Sequence, residues 1–126
     1  MKISIIDTGC SNILSLKRAV ELFNNNVIIT EDPKTILSSN KIFFPGVGAF
    51  RKVMKSLEAK KIFETLKMAE EKNIPILGIC LGLQMFFDKS EEFGLSKGLG
   101  LIEGDVIKLP NTSLKNIPHI PQANPA

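Results

Sequence analysis

The sequence predicts an α/β protein with an open, mostly parallel sheet that carries helices on both faces. Apolar runs typical of strands alternate with helical patterns four times between residues 3 and 87, as expected for right-handed βαβ crossovers. Loops of small residues follow the first, third and fourth runs. Because the carboxyl ends of parallel strands meet at one edge of a sheet, we expect these loops to converge there as a ligand site.

The first two βα units follow from short apolar runs and the turn residues between them. We predict strands at 3–6 and 27–30, the second followed by a short helix that begins at Asp32 and Pro33. Between the strands, a loop at 8–12 leads into a helix carrying Ile13, Leu14, Leu16, Val20 and Phe23 and capped by Ser11 or Asn12. Such a loop can cradle phosphate, but the dinucleotide glycine fingerprint and the Walker lysine pattern are absent.

The next two units complete the predicted sheet. The run 41–44 is a third strand that ends at Pro45, and 75–79 is a fourth, buried on both faces. Between them we predict one helical stretch that ends near Lys72 and buries Val53, Leu57, Ile62, Phe63 and Leu66. After Phe87 a polar turn at 88–92 and glycine loops lead to 101–102 and 105–109, as a hairpin or two edge strands, and then to an irregular tail at 110–126.

Composition restricts the class of protein. A chain of 126 residues with 44% hydrophobic and 23% charged residues is expected to form one domain, residues 1–126. No apolar stretch is long enough for a membrane span and no signal peptide is indicated, so we expect a cytoplasmic protein. Cys10 and Cys80 lie outside any metal-ligand spacing, so both are expected to be reduced thiols. Dispersed lysines without tryptophan or tyrosine argue against nucleic-acid binding.

The predicted site is organised around Cys80, at the junction of the fourth strand and a following helix. Gly78 and Gly82 flank it in the pattern Gly-x-Cys-x-Gly. In the serine version of this turn the nucleophile is held on a sharp, strained elbow, and residues without side chains let neighbouring backbone approach. A helix with Leu81, Met85, Phe86 and Phe87 along one side would place its N-terminal N–H groups beside the thiol and favour the thiolate. The alternative is a small buried core cysteine.

The segment 78–84, Gly-Ile-Cys-Leu-Gly-Leu-Gln, resembles the nucleophile motif of class I (triad-type) glutamine amidotransferases, whose cysteine attacks the side-chain amide of glutamine. Segments 5–12, 45–50 and 98–104 resemble one branch of that family, the glutaminase subunit of imidazole glycerol phosphate synthase in histidine biosynthesis. The resemblance implies a flavodoxin-like α/β fold and glutamine as substrate, with no cofactor. It also implies a heterodimer with a (β/α)8-barrel cyclase subunit that receives the released ammonia.

The same resemblance implies the roles of six residues. Cys80 is the implied nucleophile. The oxyanion loop is assigned to Gly46, Val47 and Gly48, and the contacts with the substrate glutamine to Gln84 and Glu92. Backbone N–H groups between glycines can turn toward a ligand, although a plain turn is the alternative for this loop. Gln84 lies one helical turn beyond Cys80, whereas Glu92, beside Glu91, could equally be part of a solvated acidic turn.

The sequence departs from the family pattern at its end. The family completes its triad with a histidine and a glutamate in a segment like His-Pro-Glu, and this sequence has no such segment. Its single histidine, His119, lies between prolines in a different segment and is a poor substitute base. We therefore expect a C-terminally truncated glutaminase with an incomplete sheet, inactive as given. Two alternatives remain: a non-catalytic remnant that binds a cyclase partner, and another cysteine hydrolase on a related fold.

Overall fold

A computed structural model describes residues 1–9, 12–47, 50–59, 61–91 and 95–109. Its main strands are β1 (Ile3–Ile6), β2 (Val27–Thr30), β3 (Lys41–Gly46) and β4 (Ile76–Cys80). They form one parallel sheet in the order β2-β1-β3-β4. The predicted parallel sheet is therefore confirmed. Several predicted positions lie outside the described residues: Cys10, Ser11, Gly48, Glu92 and the tail 110–126 with His119.

Five helices of the described chain cover the sheet: α1 (Ile13–Glu21), α2 (Pro33–Leu37), α3 (Phe50–Ala59), α4 (Ile62–Glu71) and α5 (Leu81–Gln84). Successive residues of a strand face opposite sides of a sheet, and Ile5 and Ile6 accordingly belong to different cores. Ile6 joins the larger core, shared by β3 and α2 to α5, while Ile5 joins the smaller one under α1. Helices on both faces were the predicted arrangement, and the structure confirms it.

The first helix is shorter than the apolar pattern indicated. α1 ends at Glu21, so it carries Leu14 as predicted but not Phe23. Phe23 is 90% exposed and Leu14 59% exposed. Asn24 ends the helix locally, because its side-chain oxygen accepts a hydrogen bond of 2.8 Å from the N–H of Asn26. Asn12 occupies the predicted cap position but makes no side-chain cap bond.

The predicted helical stretch after residue 50 is two helices rather than one. Lys61 interrupts it with φ of 58°, in the left-handed region that ends helices. The predicted apolar residues Leu57 and Ile62 are both fully buried, but they are five positions apart, a spacing that one helix face does not provide. Val53 and Leu66 are also buried as predicted, whereas Phe63 is only partly buried. The prediction of one continuous helix was wrong.

The short helix α2 has the predicted start at Asp32 and Pro33. The Asp32 carboxylate accepts hydrogen bonds from the Thr35 hydroxyl at 2.7 Å and from the Thr35 N–H at 3.1 Å. These bonds, the hydroxyl first, lower the pKa of the exposed Asp32 carboxyl below its ordinary value. The helix is thus capped at its N-terminus by a charged acceptor.

The third strand continues two residues beyond its predicted end. Pro45 pairs with Ile79 and Gly46 pairs with Cys80 across β3 and β4. The N–H of Ile42 donates to the carbonyl oxygen of Pro75, the residue before β4. N–H groups alternate sides along a strand, so the nitrogen of Pro45 faces β1. The β1–β3 pairing accordingly ends at Ile5 and Phe43, because proline has no N–H to continue it.

A second, smaller sheet follows the elbow. Its strands are β5 (Lys89–Ser90), β6 (Ser96–Lys97) and β7 (Asp105–Val106), with β5 antiparallel to β6 and parallel to β7. The prediction of 101–102 and 105–109 as a hairpin or two edge strands is correct only in part. Residues 105–106 form the edge strand β7, whose partner β5 lies in the predicted polar turn, and 101–102 form no strand. Two-residue strands are too short for a period of two to reveal them.

Within the described part of the chain, no helix is both long enough and apolar enough to cross a membrane.

Candidate active site

Cys80 is on a strained turn between β4 and α5. Its φ is 57° and its ψ is −120°, which is a rare backbone conformation for a residue with a side chain. Such a conformation costs on the order of 1–3 kcal/mol and persists only where the surrounding structure enforces it. The side chain of Cys80 is exposed, so the alternative of a buried core cysteine is wrong. The predicted elbow is present in its expected form.

The two glycines that flank Cys80 allow the close packing that enforces this turn. A Cβ on Gly82 would lie 1.9 Å from the carbonyl oxygen of Phe44 in β3. A Cβ on Gly78 would lie 2.6 Å from the ring of Phe86 and 2.8 Å from the Cα of Leu83. Neither position can accept a side chain without movement of the neighbouring backbone or ring. The Gly-x-Cys-x-Gly pattern thus reflects a steric requirement.

The start of the predicted oxyanion loop lies directly opposite the nucleophile. Gly46 is the β3 partner of Cys80, and a Cβ on Gly46 would lie 3.1 Å from the backbone nitrogen of Gly82. Val47, the next residue, is 49% exposed. The structure therefore brings Gly46 and Val47 to the elbow.

The helix that follows Cys80 is much shorter than predicted. α5 has one turn, Leu81–Gln84, and the chain then turns instead of continuing through Phe87. A single turn has only a small macrodipole, so the helix dipole contributes less at Cys80 than the sequence predicted. The first N–H groups of a helix still lack intrahelical partners, and those of α5 begin at Leu81, immediately after the nucleophile. Gln84, half-buried, lies one turn beyond Cys80 as predicted.

The end of the elbow is held by segment 98–104, whose packing against the elbow the sequence did not predict. The N–H of Leu99 donates to the carbonyl oxygen of Met85 at 2.8 Å, and Leu99 is 1% exposed within the larger core. A Cβ on Gly98 would lie 2.1 Å from the carbonyl oxygen of Phe87, so the two backbones touch. The signal available in the sequence was the glycine-rich run 98–104, which indicates close backbone approach only once its partner is known.

Limited alkylation at neutral pH is expected to modify Cys80 before Cys10. The thiol of Cys80 is exposed on the strained elbow immediately before α5, so an alkylating agent reaches it directly. Mass-spectrometric mapping of iodoacetamide adducts after short exposure measures the order of modification. Preferential modification of Cys10 would contradict the assignment of the elbow.

The described residues include no group of three or more histidine, cysteine, aspartate or glutamate side chains placed to hold a metal ion. The assembled groups are instead a thiol and backbone donors. An exposed cysteine on a strand-to-helix elbow, with a glycine-bearing loop opposite, is the arrangement expected in the class of α/β proteins that use a cysteine nucleophile.

Comparison with known proteins specifies that class. A family model described as "Glutamine amidotransferase class-I" matches residues 3–121. The chain belongs to this family.

Several curated relatives share one description. The chain is 43% identical over 122 residues to "Imidazole glycerol phosphate synthase subunit HisH 1" of Legionella pneumophila (strain Lens), covering 94% of this chain and 57% of that protein. It is also 43% identical over 122 residues to the Methanococcus maripaludis protein of the same description, covering 94% of this chain and 59% of that protein. The HisH subunit of Lacticaseibacillus casei is 37% identical over 118 residues, with coverages of 94% and 57%. The chain therefore spans less than two thirds of the length of these relatives.

Proposed function

We propose that this chain is the glutaminase subunit, or part of it, of an imidazole glycerol phosphate synthase. The observation that carries the proposal is the strained elbow of Cys80 with Gly46 opposite it, in a chain that belongs to the class-I glutamine amidotransferases. The relatives named above are described as subunits of that synthase. Their description supports hydrolysis of glutamine to glutamate as the reaction of this site.

The proposed reaction begins at the Cys80 sulfur. The thiolate forms a bond to the side-chain amide carbon of glutamine, and the carbonyl electron pair moves to oxygen. The oxyanion then accepts hydrogen bonds from the N–H of Leu81 and from an N–H of the loop after β3. Leu81 is a functional position that the sequence did not single out. Its role follows from its place directly after the nucleophile at the start of α5.

The loop donor comes after Gly46. N–H groups alternate sides along β3 from Ile42 onward. The N–H of Gly46 therefore faces β4 and donates within the β3–β4 ladder. The first N–H beyond the ladder is that of Val47. Val47 is half-exposed, and a glycine at position 48 lets the following peptide turn toward the substrate.

The remaining steps need a proton donor. As the C–N bond breaks, the nitrogen takes up a proton and leaves as ammonia, while the glutamyl group remains as a thioester on Cys80. Water then attacks the thioester, releases glutamate and restores the thiol. A side chain that titrates near neutral pH is suited to both transfers, and the sequence has one histidine, His119.

Substrate recognition is proposed for Gln84 and Glu92. Gln84 lies on the same side of α5 as Cys80 and has an amide that can bond the polar end of glutamine. A carboxylate at Glu92 suits the α-amino group of the substrate by charge. Both roles rest on the family resemblance together with this chemistry.

The proposed partner is a (β/α)8-barrel cyclase subunit that forms a heterodimer with the glutaminase and uses the ammonia in histidine biosynthesis. The word "subunit" in the descriptions of the relatives supports assembly with a second chain. A cytoplasmic location is part of the same proposal.

Labelling with a chloroketone analogue of glutamine tests the proposed substrate. We expect the analogue to alkylate Cys80 faster than an asparagine-length chloroketone does, and free glutamine to protect the thiol. Intact-mass and peptide mapping measure the rate and the site, and Cys80→Ser is the matched control that should not be labelled.

Two other outcomes would contradict the proposal. Equal labelling by both chloroketones, without protection by glutamine, would indicate a cysteine hydrolase with another substrate. No labelling of Cys80 at all, together with binding to a cyclase subunit, would indicate a non-catalytic partner-binding chain.

A further inference from the structure

Thr8 is a buried residue whose hydroxyl has no hydrogen-bond partner. It is 1% exposed, and its Oγ1 is the single buried side-chain oxygen or nitrogen found without a partner in the described part of the chain. An unpaired buried hydroxyl is destabilising, because the group has left water without replacement of its hydrogen bonds. Such groups are rare in native proteins, and each therefore calls for a physical explanation.

Other buried hydroxyls of this fold are paired. The hydroxyls of Ser4 and Ser39 contact each other between β1 and the end of α2. The Thr65 hydroxyl, 3% exposed, donates to the carbonyl oxygen of Lys61 at 2.9 Å. Thr8 thus differs from comparable residues in the same structure.

The position of Thr8 connects it with the site. It follows the carboxyl end of β1, and β1 and β3 are neighbours at the point where the strand order reverses, which is where open α/β sheets bind ligands. The β1–β3 register pairs Ile5 with Phe43, and continuing it by three residues places Thr8 level with Gly46. Gly46 is in turn the partner of Cys80. Neighbouring strands lie about 4.8 Å apart, so Thr8 is one strand from the loop and two from the nucleophile.

The backbone pairing between β1 and β3 stops before this point. Because Pro45 ends the β1–β3 ladder, the β3 backbone that follows it is not paired with β1. The backbone groups of Gly46 face β4 and belong to the β3–β4 ladder. The hydroxyl of Thr8 and the backbone of Val47, which follows the last β3–β4 pair, therefore lie at the same edge of the sheet.

We propose that Thr8 is a positioning residue for the oxyanion loop. When a glutamine-derived group occupies the site, the Thr8 hydroxyl bonds the loop backbone at Val47 and so aligns the loop on the oxyanion. The bond is made in the occupied state and absent in the free state, so it stabilises the occupied state selectively. Thr8 does not touch the reacting atoms, since it is buried and two strands from Cys80. The inference rests on the proposed function.

The test compares Thr8→Val and Thr8→Ser with the unaltered 126-residue chain. The rate of Cys80 labelling by the glutamine chloroketone measures loop alignment, because its carbonyl oxygen occupies the oxyanion position. Iodoacetamide labelling is the matched chemical control, since it needs the thiol but no oxyanion. Thermal unfolding measures stability. Thr65→Val is the matched protein control, because it removes a buried hydroxyl that is already paired.

For Thr8→Val we expect chloroketone labelling about fivefold to tenfold slower, corresponding to the loss of one hydrogen bond. The iodoacetamide rate should be unchanged, and the melting temperature equal or higher, because the substitution removes an unpaired polar group. Thr8→Ser should restore the chloroketone rate. Thr65→Val should lower the melting temperature and leave both rates unchanged.

Each contrary result has a distinct meaning. Equal chloroketone rates in Thr8→Val and the unaltered chain would overturn the role of Thr8 alone. A marked loss of stability in Thr8→Val would also overturn it, since the hydroxyl would then be bonded in the free protein. Absence of glutamine-specific labelling in the unaltered chain would overturn the proposed function, and this inference with it.

Discussion

Ammonia release from glutamine by the purified 126-residue chain is expected to be negligible, with or without a cyclase subunit. Thiolate attack requires Cys80 alone, but expulsion of ammonia requires a proton for the departing nitrogen. His119 is the one side chain in the sequence whose ordinary pKa suits that transfer. It lies in a proline-bounded segment beyond β7, which makes it a poor candidate for the acid.

Fusing the part of the Legionella pneumophila relative that this chain does not cover should restore activity. The general acid–base contribution is ~10²–10⁴-fold, and we expect a gain in turnover of about that size. A coupled glutamate dehydrogenase assay measures the product. The matched control is the same fusion with Cys80→Ser, which should be silent.

One result would contradict this expectation directly. If the unextended chain turns over glutamine and His119→Ala removes the activity, then His119 completes the site and the fused segment is unnecessary.

Gly82→Ala is expected to destabilise the fold strongly. The added Cβ would lie 1.9 Å from the carbonyl oxygen of Phe44. The Cβ would be fixed to the backbone of α5, and the oxygen belongs to the backbone of β3. Overpacking usually costs about 1–3 kcal/mol and occasionally more, and we expect a loss of at least ~3 kcal/mol here, because no flexible side chain can move aside. The midpoint of urea unfolding measures it.

Leu83→Ala is the matched control for Gly82→Ala. Leu83 is on the same turn and 45% exposed, so its truncation should change the free energy of unfolding by no more than about 0.5 kcal/mol. A Gly82→Ala protein as stable as Leu83→Ala would show that α5 can move away from β3. The steric account of the Gly-x-Cys-x-Gly pattern would then be wrong.

The main sheet could be predicted from sequence because each of its strands is a short apolar run between turn residues. Helix ends were less certain for physical reasons. Lys61 carries the left-handed conformation that divides α3 from α4, although glycine or asparagine usually signals such a break. Phe23 continues the helical period of α1 but lies beyond its last turn.

The elbow could be predicted because the two glycines that it needs lie within two residues of Cys80 in the sequence. The opposition of Gly46 and Cys80 could not, since it depends on the register of two strands far apart in sequence. The unpaired hydroxyl of Thr8 is still less visible, because burial and pairing are properties of the whole fold. The roles of all six predicted site residues remain predictions.

The place of β4 at the edge of the sheet has a consequence for how the nucleophile behaves in time. Within the described residues β4 pairs with β3 alone, and Leu77, on its middle, is 55% exposed. Opening of the last β3–β4 pairs would let Cys80 relax its positive φ, so the strain favours fraying at that point. Anything that covers β4 would oppose this fraying and so increase the time that the Cys80 thiol spends on the strained elbow.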